Sequence, residues 1–567
     1  MNRTGGNGWA HGIPAGYFGF LWLLPIFTVN GVAVPCDPIP FIIPKNVPQS
    51  KNAHRMKSLK SYPLIALLVL TSVFSTRQAY GCYAIVAGKD ATADGSVLVA
   101  HSELNKPKNC FLNFHVVPGM SHTPGSTIRL QYEGTYPDVS YSHSFLWSEN
   151  MGMEGSDGVM NEWGVVCVSD GTPSKETDMD RLKERGQIED GGVGFRLRIE
   201  VARRAQTARE GVKIVADMVE RFGSRHAIHF VIADANEAWI MALPKGKQWV
   251  ARRVRDDRVV ALPNVNIIQE VHPEDTSRFM VSDHLIDYAI ERGWYDPEKD
   301  GTFNYKKAYG KPKWTAWFEE KYGKDPRQFR GQWLLTGEEP DLSAEGFLPF
   351  SVKPDKKITL HDLRAIMSDH MEGTRFDQTN GYKKGSPHDL MGPRDGAICD
   401  QRNQEVAIFQ LRSWMPPAVG CVYWRSTAAI CSGVITPWYA GITETPESYQ
   451  VNPDSRKDLI TEYHFNPPAS IYHYNENKAF WIFNTLENLV DLKYRKEIKK
   501  VAPVWKEFEK ELYAMQQTIE QKALDLYRNN PELARKFLTH YCKGVALEAQ
   551  DKAVKMNRSL RNTHFGY

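Results

Sequence analysis

One cysteine in this sequence, Cys82, has the surroundings of a nucleophile. It follows Ala79-Tyr80-Gly81, which puts alanine at −3 and glycine at −1 of a cut made just ahead of it. Small residues at those two positions are what leader cleavage requires. Removing what precedes Cys82 would leave a thiol and a free α-amine on adjacent carbons of one residue. An unperturbed α-amine has a pKa of about 7.7–8.0, so much of it is neutral near pH 7–8 and can take the thiol proton, directly or through a water. Nucleophile and general base then belong to the same residue, and no catalytic histidine is needed. No H-E-x-x-H or G-x-S-x-G motif competes with this reading. Two other roles suit a cysteine at this place. One is a lipidated cysteine anchoring a non-catalytic binding protein, although Ala79 and Tyr80 match poorly the usual Leu at −3 and small residue at −2. The other is an ordinary buried cysteine.

Other residues could serve a polar substrate. Ser169 and Asp170 end an apolar run and could pin a polar group, or sit solvated at a strand end. Arg375, after Glu372-Gly373-Thr374, could meet a carboxylate bidentately or form a surface ion pair. His226 and His229 alternate with apolar residues, which the polar face of a strand explains more simply than a metal does. Of eight cysteines none forms C-x-x-C, and no Cys/His set has the linear spacing of zinc ligands. Eight in 567 residues is also too few for a disulfide scaffold, and the sequence leaves any pairing open. Neither a metal nor another cofactor is expected.

These residues need elements to hold them. Tyr83 to Ala87 and Val97 to His101 read as two strands, with Asp94-Gly95 as turn chemistry between them. Strands before residue 170 and over 226–253 alternate well enough for two packed sheets. Residues 193–223 read as two helices, the second opened by Thr207 with Glu210 at capping-box spacing and closed by Gly223. Thr359 opens another capped helix, reaching Met371. Over 503–529, Val504, Phe508, Leu512, Met515, Ile519, Ala523 and Leu526 recur at steps of three or four, and Pro531 starts a further helix. Such a stripe packs onto a core or binds a partner. Residues 294–325 suit a loop excursion beside a pocket. Pattern alone supports an α+β class with one large core.

Upstream, Lys57 and Lys60 precede the apolar run 62–74, a signal-peptide pattern too short for the roughly 20 residues that span a bilayer. The expected organisation is a non-native or disordered extension over 1–55, a leader over 56–81 starting at Met56, one catalytic domain over 82–550 with C-terminal helices from about 487, and a tail over 551–567. The net charge of +3 gives no strong field for nucleic acid or an anionic membrane.

From Cys82 onward the sequence resembles the dipeptidase family of N-terminal-nucleophile (Ntn) cysteine hydrolases, relatives of penicillin V acylase and bile-salt hydrolase. The motifs are Cys82 followed by Gly88-Lys89-Asp90-Ala91-Thr92-Ala93-Asp94-Gly95-Ser96, the N-E-x-G of Asn161 to Gly164, "ADANEAW" (233–239), Pro263-Asn264, "HMEGTRFD" (370–377) and the block 405–441. They stand in the family's order over roughly 82–550. The resemblance implies a four-layer αββα sandwich with additional C-terminal helices, no cofactor, and Cys82 as nucleophile. It implies Asn161 and Asn264 as oxyanion donors, with Asn266 as a fallback. One segment departs from the family. Relatives commonly read R-N-x-D or H-N-E-D after the second strand, and their Arg and Asp hold the nucleophile and its amine. Here the residues are His101-Ser102-Glu103-Leu104. The Leu104 side chain cannot accept from an ammonium, which leaves His101 and Glu103 for that role. The expectation is an exported dipeptidase, periplasmic or extracellular, with short peptides as substrates, no nucleic-acid partner and no membrane span in the mature form. Cleavage of acyl-amino-acid or bile-salt-like amides is the alternative reaction. Membrane association, assembly into a homo-oligomer, and cleavage at Gly81–Cys82 by a signal peptidase or by the chain itself stay open.

Overall fold

The computed structural model describes residues 81–566 apart from 105–111, 131, 151–157, 312–315, 378, 380–385, 389–395, 401 and 451–472. The extension, the leader as far as Tyr80, Cys36 and Cys110 lie outside the described residues.

Two antiparallel sheets form the centre. The six-stranded sheet runs Val259–Leu262, Tyr83–Ala87, Val97–Leu104, Asn403–Leu411, Cys421–Thr427, Thr436–Tyr439. The eight-stranded sheet runs Phe279–Val281, Val250–Arg253, Ala238–Gly246, Ser224–Ala233, Val166–Gly171, Gly158–Asn161, Phe145–Asn150, Leu112–Val117. The predicted first hairpin is present, its second strand running on to Leu104.

The period of two in the eight-stranded sheet decides the layering. Val166, Val168, Val231, Ala233, Ile240 and Ala242 belong to a core shared with the six-stranded sheet. Their immediate neighbours Cys167, Phe230, Ile232, Trp239, Met241 and Leu243 belong to a second core, shared with the helices Leu197–Arg204 and Ala208–Phe222. A strand that is apolar on both faces must be covered on both, and here it is. Between the sheets, Phe114 meets Tyr423 and Trp438 edge-on at 5.2 and 5.1 Å.

The helix Ala208–Phe222 starts as expected. The Thr207 hydroxyl accepts from the Glu210 amide at 3.2 Å, and Val212, Val215, Val219 and Phe222 are buried at helical spacing. Gly223 ends it at φ +77°, and a Cβ there would lie 1.9 Å from the Gln187 carbonyl oxygen. That closeness makes glycine obligatory.

On the far side of the six-stranded sheet lie the helices Leu360–Ile366, Ala479–Asp491, Tyr494–Asn529 and Pro531–Phe565. Trp424 packs on Tyr513 at 5.3 Å, and the Trp505 indole donates to the Ser432 carbonyl at 2.9 Å. Thr359 and Asp362 form a reciprocal capping box ahead of the first of these helices. The order helix, sheet, sheet, helix is the αββα sandwich the resemblance implied, with its additional C-terminal helices.

Three details differ from the sequence reading. The last helix continues to Phe565, through residues expected to be a tail. Over 294–325, the described part holds two short helices, Tyr305–Tyr309 and Ala316–Tyr322. The stripe on the long helix is rotated: Val501, Trp505, Phe508 and Leu512 are buried, whereas Val504 and Met515 are exposed. Its buried face includes Glu509 and Glu520, which a count of apolar residues passes over. Each is paired, Glu509 with Arg364 at 3.0 Å and Glu520 with Arg412 at 2.6 Å.

Candidate active site

Cys82 immediately precedes the strand Tyr83–Ala87, and its side-chain direction follows from pleat and register. Ala84 pairs with His101, and His101 pairs with Ala407. Directly opposed residues share a face, as do residues two apart on one strand. Cys82, Ala84, His101 and Glu103 therefore point to one face of the six-stranded sheet. On the opposite sheet, Asp170 lies two and four residues beyond Val168 and Val166, whose side chains enter the inter-sheet core. Both sheets thus aim polar groups into one end of their interface.

The groups meet. Cys82 Sγ lies 3.5 Å from Glu103 Oε2 and 3.8 Å from the Leu104 carbonyl. His101 Nε2 lies 3.2 Å from the Ser169 carbonyl and 3.4 Å from Asp170 Oδ1. A carbonyl can only accept, so Nε2 carries the proton. The Cys82 thiol, the His101 ring nitrogen and an Asp170 oxygen lie within 4.8 Å of one another. Asp170 is wholly buried, yet neither carboxylate oxygen has a hydrogen-bond partner. A buried carboxylate left so is costly and marks a place where another group belongs.

Arg327 clamps this end of the chain. It is the second residue of the helix Pro326–Thr336, whose start is fixed by Pro326 and by Asp325, which accepts from the Arg327 and Gln328 amides at 2.8 and 3.1 Å. The guanidinium donates to the carbonyls of Gly81 and of Cys82, the latter at 2.9 Å, and to Asn264 Oδ1 at 2.8 Å. Asn264 Nδ2 in turn donates to the Gly171 carbonyl at 2.8 Å. These two bonds settle which way the amide faces.

A second cation, Arg402, sits against Gly81: a Cβ on that glycine would lie 3.3 Å from Arg402 Nη2 and 2.7 Å from Leu104 Cβ. Burial opposes the charge on Arg402, but hydrogen bonds to Asp400 and attraction to it raise the guanidinium above its ordinary value. Burial likewise pushes Asp400 up, and the Arg402 bonds hold it well below the usual carboxylate range.

Four sequence-predicted residues converge here: Cys82, His101, Glu103 and Asp170. Asn264 is tied to them through Arg327. Four side chains do not join them. Asn161 follows Met160, which enters the inter-sheet core, so its side chain turns to the helix layer. There it donates to the Ala202 and Ala205 carbonyls at 3.0 and 2.7 Å and accepts from the Trp163 and Val165 amides at 3.0 Å. It locks a hairpin turn to a helix, and its side chain has no capacity left for an oxyanion. Arg375 is 55% exposed and pairs with Glu339 at 2.8 Å, a surface ion pair. Asn266 Oδ1 accepts from His229 Nε2 at 2.9 Å, and its Nδ2 donates to the Pro173 carbonyl at 3.3 Å. Ser169 turns its hydroxyl to Arg198, which donates to it at 2.8 Å.

Sequence reasoning missed Arg327. Asp325-Pro326 is a legible helix start, but nothing local says what its second residue reaches. It also missed a Cys/His set that linear spacing hides. His370, His388, Cys399 and Cys431 bring four ligand-type atoms within 4.8 Å of one another.

Known proteins resemble this chain over most of its length. The profile of peptidase family C69 matches residues 81–507. "Probable dipeptidase B" of Streptococcus pyogenes serotype M1 is 24% identical over 511 residues, 88% of this chain and 96% of that protein. "Dipeptidase A" of Lactobacillus helveticus is 23% identical over 423 residues, 73% of this chain and 82% of that protein. Among solved structures, a mutant conjugated bile acid hydrolase from Clostridium perfringens aligns at 11% identity over 61% of this chain and 89% of that one, with a TM-score of 0.27. A likeness at that level does not bear on the fold.

Proposed function

The chain belongs to peptidase family C69, and from that premise we propose that it is an exported dipeptidase whose nucleophile is Cys82, freed as the first residue of the mature chain. The observation that carries the reading is the meeting of the Cys82 thiol, Glu103, His101 and Asp170, whose buried oxygens lack a hydrogen-bond partner, at one end of the sheet interface. The curated relatives named dipeptidases supply the substrate class.

Cys82 Sγ attacks the peptide carbonyl carbon while the α-amine takes the thiol proton. Glu103, beside the sulfur, holds the resulting ammonium, the task that Leu104 cannot perform. Loss of Gly81 removes one of the carbonyls that Arg327 serves, and the released guanidinium hydrogen turns to the substrate carbonyl oxygen. Arg327 and the Asn264 that it orients then stabilise the oxyanion, with Asn161 left to its turn. One oriented donor of this kind is worth about 2.7–4 kcal/mol. The tetrahedral intermediate collapses, the C–N bond breaks, and the departing amine takes the proton back from the Cys82 ammonium. Water then attacks the thioester, giving its proton to the same amine and releasing the acid and the thiol. Asp170 accepts the α-ammonium of the dipeptide, which confines cleavage to the first peptide bond.

Export rests on the leader pattern ahead of Cys82. Among the described residues no helix is long and apolar enough to cross a membrane. The substrate class is tested by incubating the processed protein with free dipeptides and the same compounds N-acetylated. Free dipeptides should be cleaved and the acetylated ones spared. Preference for acylated amino acids or bile-salt-like amides would reject the dipeptidase reading.

A further inference from the structure

We propose that His370, His388, Cys399 and Cys431 bind one zinc ion in a closed tetrahedral site that fastens the start of the C-terminal helices to the six-stranded sheet. The four residues come from four separate segments. His370 follows the helix Leu360–Ile366, Cys399 precedes the strand Asn403–Leu411, Cys431 follows the strand Cys421–Thr427, and His388 is held in a turn between the first two. All are buried: His370 and Cys399 fully, His388 to 3% exposure and Cys431 to 8%.

The geometry is that of a coordination sphere. His388 Nε2 lies 3.1 Å from His370 Nε2, 3.7 Å from Cys399 Sγ and 3.6 Å from Cys431 Sγ. Zinc–nitrogen bonds of about 2.0–2.1 Å and zinc–sulfur bonds of about 2.3 Å give tetrahedral edges of roughly 3.3–3.8 Å. The other ring nitrogens are engaged as metal-binding histidines require. His370 Nδ1 lies 2.7 Å from Glu372 Oε1, and His388 Nδ1 lies 2.9 Å from Asp491 Oδ1. Carboxylates only accept, so each Nδ1 carries the hydrogen, which leaves each Nε2 as the nitrogen that can bind a metal. Two Nε2 lone pairs facing at 3.1 Å repel unless a proton or a metal ion stands between them, and a metal ion also accounts for the two sulfurs that converge on the same point. Two thiolates and a divalent ion are neutral together, which suits a buried place. Soft sulfur with imidazole selects zinc over calcium or magnesium. Four protein ligands leave no position for substrate, so the ion is structural.

The site ties distant parts together. Asp491 ends the helix Ala479–Asp491, and Tyr494, which opens the next, lies 6.0 and 5.9 Å from the two imidazole rings. Cys399 also begins the segment that carries Asp400 and Arg402 to Gly81, and its amide donates to the Asp369 carbonyl at 3.0 Å. The ion therefore positions Arg402 beside the nucleophile without touching the reaction.

Metal analysis of the purified full-length chain from zinc-replete cells tests this. About one zinc per chain is expected, with two sulfurs at about 2.3 Å and two nitrogens at about 2.0–2.1 Å by X-ray absorption. Cobalt taken up in its place should show the visible bands of a tetrahedral dithiolate site. Cys431→Ser and His388→Ala should each lose the metal. The wild-type measurement stands even if either variant does not fold. A metal-free protein that takes up neither zinc nor cobalt overturns the proposal, and so does a Cys399–Cys431 disulfide found by mass spectrometry.

Discussion

Among the described residues, two buried gatherings of cysteine, histidine and carboxylate are finished differently. At His370, His388, Cys399 and Cys431 every histidine has its second nitrogen on a carboxylate, and the four inward atoms complete one another. At Cys82 the gathering is left incomplete: Asp170 has no hydrogen-bond partner, and Arg327 spends one donor on Gly81, a residue the mature chain is proposed to lack. A structural centre closes its valences inside the fold, whereas a reactive one keeps some for what arrives later. Stability should therefore follow the first set and turnover the second.

Cys82→Ala should separate the two most sharply. Turnover should fall by about 10⁴-fold or more, while melting temperature and zinc content stay those of the parent. A comparable loss of zinc would break the comparison. Next comes Arg327→Ala, expected to lower kcat/KM by about 10²–10³-fold, the value of one oxyanion donor. Asn161→Ala supplies the contrast. Loss of a buried amide serving four backbone groups should cost about 2–3 kcal/mol of stability, with kcat/KM of the folded fraction within about a factor of three.

Acid should weaken the sheet interface through His229. This buried imidazole sits opposite Asp170 in the strand pairing, and burial drives its pKa from 6.5 down to about 4, against the Asn266 hydrogen bond that raises it. The unfolded chain therefore binds the proton first. Stability is full above about pH 6.5 and declines as pH falls toward 4, by on the order of 3 kcal/mol in all. Urea titrations of the parent and of His229→Gln across that window should differ in slope, and equal slopes would remove His229 from the account. Smallest is Asp491→Asn, which should weaken zinc affinity about 10–100-fold while leaving the ligands intact.

What could be read from sequence was local. The hairpin after Cys82, the Thr207 and Thr359 caps and the two-faced strands depend on residues within a few positions of one another. Asn161 shows where such reading misleads. Asn-Glu-Trp-Gly is both a family motif and ordinary turn chemistry, and the structure spends the side chain on the turn. The long C-terminal helix shows a milder failure, because buried glutamates paired with Arg364 and Arg412 do not count as core in an apolar pattern. Arg327 and the Cys/His cluster were not legible at all. Each is made by contacts across tens to hundreds of residues, and only the closing of the two sheets and their helices brings them about.

Intact-mass analysis of the active, exported protein, followed by sequencing of its amino terminus, tests the central claim most directly. The expected result is a chain beginning at Cys82 with an unmodified amine and full dipeptide turnover. A turning-over chain that still carries Gly81, or one whose Cys82 amine is blocked, would contradict it.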